Sequence, residues 1–161
     1  MSDDFTALLD RFTAAVEAPD GAALGALFND DGVYHDTFYG AFQGRTAIAS
    51  MLEDNFWGDA EAFLWDMYEP VFDPGTRTGY ARWVFSYTAT LEGSAGKRVA
   101  FDGMSQFTLE NGLIRLYREV FSAGLAFAQL GMAPARTDKI LRRMVDAHAH
   151  DPEWVHHLTG P

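Results

Sequence analysis

Two carboxylates, Asp102 and Glu119, stand on alternating runs that flank Asn111-Gly112, a dipeptide suited to a tight two-residue hairpin turn. With that turn, Glu110 faces Leu113, and pairing continues through Thr108/Arg115, Gln106/Tyr117, Met104/Glu119 and Asp102/Phe121. Directly opposed residues share a face. Asp102 then becomes the diagonal neighbour of Glu119, roughly 7 Å away between backbones, close enough for the two charges to interact in a dry site. Tyr117, Gln106 and Met104 share that mixed face, while Phe101, Phe107, Leu109, Ile114 and Leu116 make the other mostly apolar. Alternation alone leaves two readings open: the mixed face lines a site, or it meets water.

The rest of the chain must position this hairpin. Phe5, Leu8, Leu9, Phe12 and Val16 recur at helical spacing behind caps at Ser2 to Asp4, which predicts an amphipathic helix ended by Pro19-Asp20-Gly21. A second helix over Ala22 to Phe28, a strand near Val33 to Thr37 and a helix after Gly44 follow. From Glu61 the pattern turns extended, over Ala62 to Phe72, Arg77 to Leu91, Arg98 to Glu110 and Leu113 to Phe121, with separators short enough for adjacent antiparallel strands. Helices over Ser122 to Leu130 and Thr137 to Ala147 close the chain, with Asp151-Pro152 placed to start a last turn. The class is α+β.

Composition narrows the function. The chain has 161 residues, 48% of them apolar, enough for one domain plus an extension. A net charge of -11 repels phosphate backbones and anionic lipid, so neither nucleic acid nor a membrane is an expected partner. Without cysteine there are no disulfides and no thiolate chemistry. The opening residues lack the charge and apolar run of a signal peptide, and no later stretch reaches membrane-spanning length, so a cytoplasmic location is expected. His148, His150, His156 and His157 do not complete a familiar metal spacing, and no metal is expected.

The order helix, helix, short strand, helix and long meander resembles the nuclear transport factor 2-like superfamily, and within it SnoaL-type proteins. Two segments carry the resemblance: Leu27-Phe28-Asn29-Asp30-Asp31-Gly32 through Gly44-Arg45-Thr46-Ala47-Ile48, and the closing hairpin with Arg118-Glu119. It implies a curved antiparallel sheet wrapped around the N-terminal helices to form a cone with an apolar pocket. The domain would span residues 1–132, with a helical C-terminal extension over 133–161 packed on it or on a dimer partner. Positions matching Tyr117, Glu119 and Phe121 lie on the pocket side in this family, so the hairpin register brings Asp102, Met104 and Gln106 into the same cavity.

Other roles follow from the resemblance. Asp36 falls where ketosteroid isomerases of this fold carry a carboxylate base, and Phe12 and Met104 fall where they carry hydrogen-bonding tyrosine and protonated acid. That machinery is therefore incomplete here. Ser86 and Thr88 replace the arginine and aspartate of the epoxide hydrolases. A phenazine-pathway branch has a Glu in a comparable Arg-Glu segment, which implies an acid role for Glu119. The leading expectation is a cofactor-independent enzyme acting by proton transfer (isomerisation, cyclisation, dehydration or condensation) on a small cyclic or polyketide-like carbonyl compound. Asp36 would be the base, Glu119 the acid or second carboxylate and Asp102 its tuner, with Tyr117 and Gln106 orienting a ligand oxygen and Phe12, Met104 and Phe121 shaping the pocket. A homodimer through the sheet is expected. The alternative is a noncatalytic ligand-binding or scaffold protein of the same fold.

Overall fold

The computed structural model describes residues 2–160; the side chains of Ser2, Asp3 and His150 lie outside the described residues, and with them the caps expected at Ser2 and Asp3. Helix α1 (Ser2–Glu17) buries Phe5, Leu8, Leu9, Phe12 and Val16, the stripe read from the sequence. Asp20 caps α2 (Gly21–Ala26), its carboxylate accepting the Ala23 N–H at 2.8 Å. Strand β1 (Phe28–Asp36) turns into β2 (Gly40–Gln43), a short strand the sequence did not reveal. Helix α3 (Arg45–Ser50) runs on through a π-helical turn (Met51–Phe56) into α4 (Trp57–Asp59).

Strands β3 (Ala60–Asp73), β4 (Thr78–Ala89), β5 (Arg98–Glu110) and β6 (Leu113–Phe121) complete a six-stranded sheet ordered β2-β1-β6-β5-β4-β3. All neighbours are antiparallel except β1 and β6, which run parallel. The concave face closes over α1, and Phe12 sits at the centre of the aromatic core. Its ring stacks on Tyr34 at 6.0 Å and meets Trp65, Phe107 and Tyr117 at 5.3, 5.5 and 5.1 Å.

The closing hairpin corrects the expected register. Asn111 and Gly112 make the left-handed turn, with φ of 54° and 79°, and Glu110/Leu113 and Leu109/Ile114 pair as the turn requires. Thr108 then faces Leu116, so Arg115 is an extra residue, a β-bulge, and every later pair moves by one. Ser105 now opposes Glu119, Phe107 opposes Tyr117 and Gly103 opposes Phe121. Asp102, Met104 and Gln106 consequently turn to the face opposite Glu119. The cause is the packing of β6 against β1. Ile114, held by a 2.8 Å N–H bond to the Leu27 carbonyl, and Tyr117 are both fully buried. Three residues apart, they face the same way only if one residue is inserted between them. Burying two such side chains is worth about 3–6 kcal/mol, against about 1 kcal/mol for a displaced ladder bond. Arg115 itself pairs with Asp31 at 3.1 Å on the outside.

Gly103 belongs to the same arrangement. A Cβ there would lie 2.5 Å from the Trp83 ring and 2.6 Å from the Val120 carbonyl, so any larger residue would displace that indole or the strand.

Helix α5 (Ala123–Leu130) is tied to β5 by Gln129, whose side chain bonds both the N–H and the carbonyl of Ala100, and it ends at left-handed Gly131. Helix α6 (Pro134–Ala147) starts earlier than Thr137 because Pro134 takes its first position, and it buries no residue fully. The tail through α7 (Val155–Thr159) meets the sheet where Glu153 faces Arg118 at 3.5 Å, and His148 stacks on Trp154 at 4.0 Å. Among the described residues no helix is long and apolar enough to cross a membrane, and no cluster of His, Asp and Glu is arranged to hold a metal ion.

Candidate active site

Alternation along β1 sends Tyr34 and Asp36 inward, 0% and 3% exposed, and turns His35 outward. Asp36 ends the strand. The chain reverses through Thr37, Phe38 and Tyr39, and the Asp36 Oδ1 accepts the N–H groups of Phe38 and Tyr39 at 2.7 and 2.8 Å. Glu119 comes from β6, aimed inward by the bulge at Arg115. Its Oε1 accepts the Thr37 N–H at 3.3 Å, and its Oε2 accepts the Tyr117 hydroxyl at 2.7 Å. That hydroxyl accepts from Ser105 at 2.9 Å, and Ser105 accepts from the Trp83 indole at 2.8 Å. A directed chain of donors thus runs from Trp83 to Glu119, and the Glu119 and Asp36 carboxyls line the same small cavity, close enough for each to feel the other's charge.

Burial raises both carboxyls, because a charge there loses its water. Asp36 goes up to about 6, its rise held down by the two backbone N–H groups, and Glu119 goes up to about 8, pushed further by the charge of Asp36. Between those values the pair as a whole holds one proton, and the two backbone N–H groups on Asp36 Oδ1 favour the ionised form at that residue. Both folded values exceed the ordinary 3.8 and 4.5, so the folded state binds these protons more tightly than the unfolded chain. Stability is therefore fullest below about pH 4 and is lost as pH climbs through 6 and then 8. Glu119→Gln, which removes the titration, is expected to be more stable than the native protein at pH 9 by on the order of 1–3 kcal/mol, with the gap gone at pH 4. Thermal unfolding across that range checks it; a gap that widens toward acid would contradict it.

The carboxyl pair faces a small inner cavity of about 30 Å³, walled by Phe38, Trp65, Trp83, Phe85, Phe101 and Phe121. Beside it lies an outer cavity of about 250 Å³, lined mostly by apolar residues from the sheet, the α3–α4 segment and the C-terminal helices. Phe38, Phe56 and Phe85 border both. Phe56 ends the π-helical turn, a widened turn that recurs at functional sites. Polar groups collect around the outer cavity: Tyr39 donates to Asp59 at 2.7 Å, burial and the Asp59 charge push the Tyr87 hydroxyl up to about 12, and Arg143 of α6 contributes a cation.

The SnoaL-like domain family matches residues 9–117, more than half of the chain. The chain is a SnoaL-like protein. Solved structures agree on the fold. A protein with a ketosteroid isomerase-like fold from Catenulispora acidiphila, in complex with trimethylamine, shares 19% identity at a TM-score of 0.70, covering 78% of this chain and 93% of that one. A candidate polyketide cyclase from Xanthomonas campestris pv. campestris shares 20% identity at 0.69, covering 80% and 98%. An epoxide hydrolase from M. tuberculosis shares 20% at 0.64, covering 80% and 90%. No curated protein matches the chain.

In this SnoaL-like protein Asp36 and Glu119 meet, Tyr117 bonds Glu119, and Phe121 walls the inner cavity. Phe12 packs behind Tyr34 and Tyr117 and borders neither cavity. Asp102, Met104 and Gln106 point away from the site, so Asp102 cannot tune Glu119; Asp36 does. Arg115 and Arg118 pair with Asp31 and Glu153, and among the described residues no ion pair reaches Glu119. Ser105 and Tyr34 were not anticipated as part of the site. Their signal lay in the strands: Ser105 opposes Glu119 only once the bulge is known, and Tyr34 is two residues before Asp36 on the same face.

Proposed function

We propose that this SnoaL-like protein is a cofactor-independent enzyme that moves protons on a small cyclic or polyketide-like carbonyl compound. The observation that supports this most is that two carboxyls, Asp36 and Glu119, line the inner end of an aromatic cavity, with two backbone N–H groups held on Asp36. Asp36 takes the proton from the carbon next to the carbonyl, and Glu119 donates toward the carbonyl oxygen as charge builds there. Tyr117, itself fixed by Ser105 and Trp83, holds the Glu119 carboxyl in place. Isomerisation, cyclisation, dehydration and condensation all begin with this step. The test is solvent deuterium incorporation next to the carbonyl across a panel of cyclic ketones. Incorporation by the native protein and its loss in the Asp36→Asn, Glu119→Gln double variant are expected. Equal incorporation by both, or none by either, would remove the proposal and leave the binding or scaffold reading.

The outer face of the sheet favours self-association as a further part of this reading. Leu64, Val84, Met104 and Val120 are 57, 37, 49 and 71% exposed there, a patch a monomer leaves in water. Val120→Asp is expected to convert a dimer to a monomer in sedimentation velocity; an unchanged mass would reject the sheet as the contact.

A further inference from the structure

Asn29 Oδ1 and Trp65 Nε1 are buried side-chain polar atoms without a hydrogen-bond partner among the described residues, whereas the Tyr34 hydroxyl has the Tyr117 hydroxyl beside it. Buried polar atoms without partners cost stability, so each calls for a physical explanation. Trp65 belongs to the carboxyl site, where it walls the inner cavity with Asp36 and Glu119. Other tryptophans satisfy their indoles: Trp83 donates to Ser105 and Trp57 to the Val16 carbonyl.

Trp65 is also fixed in place. Its backbone N–H donates to Glu17 Oε1 at 2.6 Å, and its ring packs edge-on against Phe85, Phe12 and Trp83 at 4.9, 5.3 and 5.8 Å. It is 4% exposed and cannot swing out to find water. An indole N–H donates but neither accepts nor ionises at ordinary pH, which suits it to hold a developing oxyanion without exchanging a proton. The inner cavity, at about 30 Å³, has room for a carbonyl group at the end of a ligand whose body fills the outer cavity.

We infer that Trp65 is a further catalytic residue, its indole N–H receiving the substrate's carbonyl oxygen beside the Asp36–Glu119 pair. The inference rests on the proton-transfer reading above. The C–H bond next to the carbonyl breaks, and its proton goes to Asp36. Its electron pair forms the enolate double bond, and the former C=O π pair settles on oxygen, where Trp65 N–H and Glu119 O–H both donate. Return of a proton to carbon closes the cycle with no other reactant.

The experiment uses 4-nitrophenol, whose ionised oxygen imitates an enolate. In nitrogen–proton correlation spectra of the native protein, with the indole signals assigned through bonds, the Trp65 signal is expected to move downfield on probe binding while those of Trp57 and Trp83 stay nearly still. The bound probe is expected to shift toward its ionised, yellow form. Trp65→Phe keeps the ring and loses the donor; the bound probe then reverts toward neutral, and kcat for deuterium incorporation falls about 10²–10³-fold with KM within about threefold. A Trp65 signal unmoved by bound probe, no probe binding to the native protein, or a kcat within threefold in Trp65→Phe would each overturn the inference. If Asp36→Asn and Glu119→Gln abolish incorporation while Trp65→Phe does not, only the Trp65 role fails. If all three leave incorporation unchanged, the proton-transfer reading fails with it.

Discussion

Asp36→Asn is expected to lower deuterium incorporation by about 10²–10⁴-fold, because it removes the base and leaves the cavity's shape intact. Glu119→Gln is expected to cost a similar factor, and the double variant little more than either alone, since the two carboxyls act as one unit. The pH dependence carries the stronger information. Asp36 must lose its proton, which happens above about 6, and Glu119 must keep its own, which holds below about 8. Activity should therefore form a bell centred near neutrality. Asp36→Asn flattens the residual acid limb, and Glu119→Gln the alkaline one. A single descending limb in the native protein would reject the assignment of base to Asp36.

Phe12→Ala is expected to destabilise the protein by about 3–5 kcal/mol, a fall in Tm of about 10 °C for a domain of this size. Phe12 is fully buried, and its ring contacts Phe28, Tyr34, Trp65, Phe107 and Tyr117, which come from four strands. Truncation leaves a void that the surrounding rings, each braced by others, cannot collapse to fill. Tyr34 and Tyr117 lose the surface that steadies them, so activity should fall with stability. Calorimetry decides; a loss under 1 kcal/mol would mean that α1 does not seat its central ring there.

The carboxyl pair was half legible in the chain. Strand alternation and the family resemblance put Asp36 and Glu119 inward, since both signals depend on local period and the shape of the fold. The companions expected for Glu119 were misplaced for a definite reason. The Asn111-Gly112 turn sets the register only at the hairpin's end, while Ile114 and Tyr117, each paired with β1, demand one residue more than a regular strand allows. That demand arises between strands far apart in sequence, beyond the reach of alternation. Strand β2 escaped because four residues carry too little pattern. Trp65 could be read as aromatic but not as an unpartnered donor, which only the packing of its neighbours decides.

The cavity's two sides differ in how readily they open. Its sheet side is cross-linked by ladders and rings, whereas Ile140 and Arg143 come from α6, a helix without a fully buried residue. Opening that helix exposes little apolar surface, so its amides should exchange with solvent at a small fraction of the global unfolding free energy, long before those of β4 and β5. A ligand would then enter through local fluctuation of one helix. The rate of entry and the strength of chemical discrimination would reside in separate parts of the chain, free to vary independently.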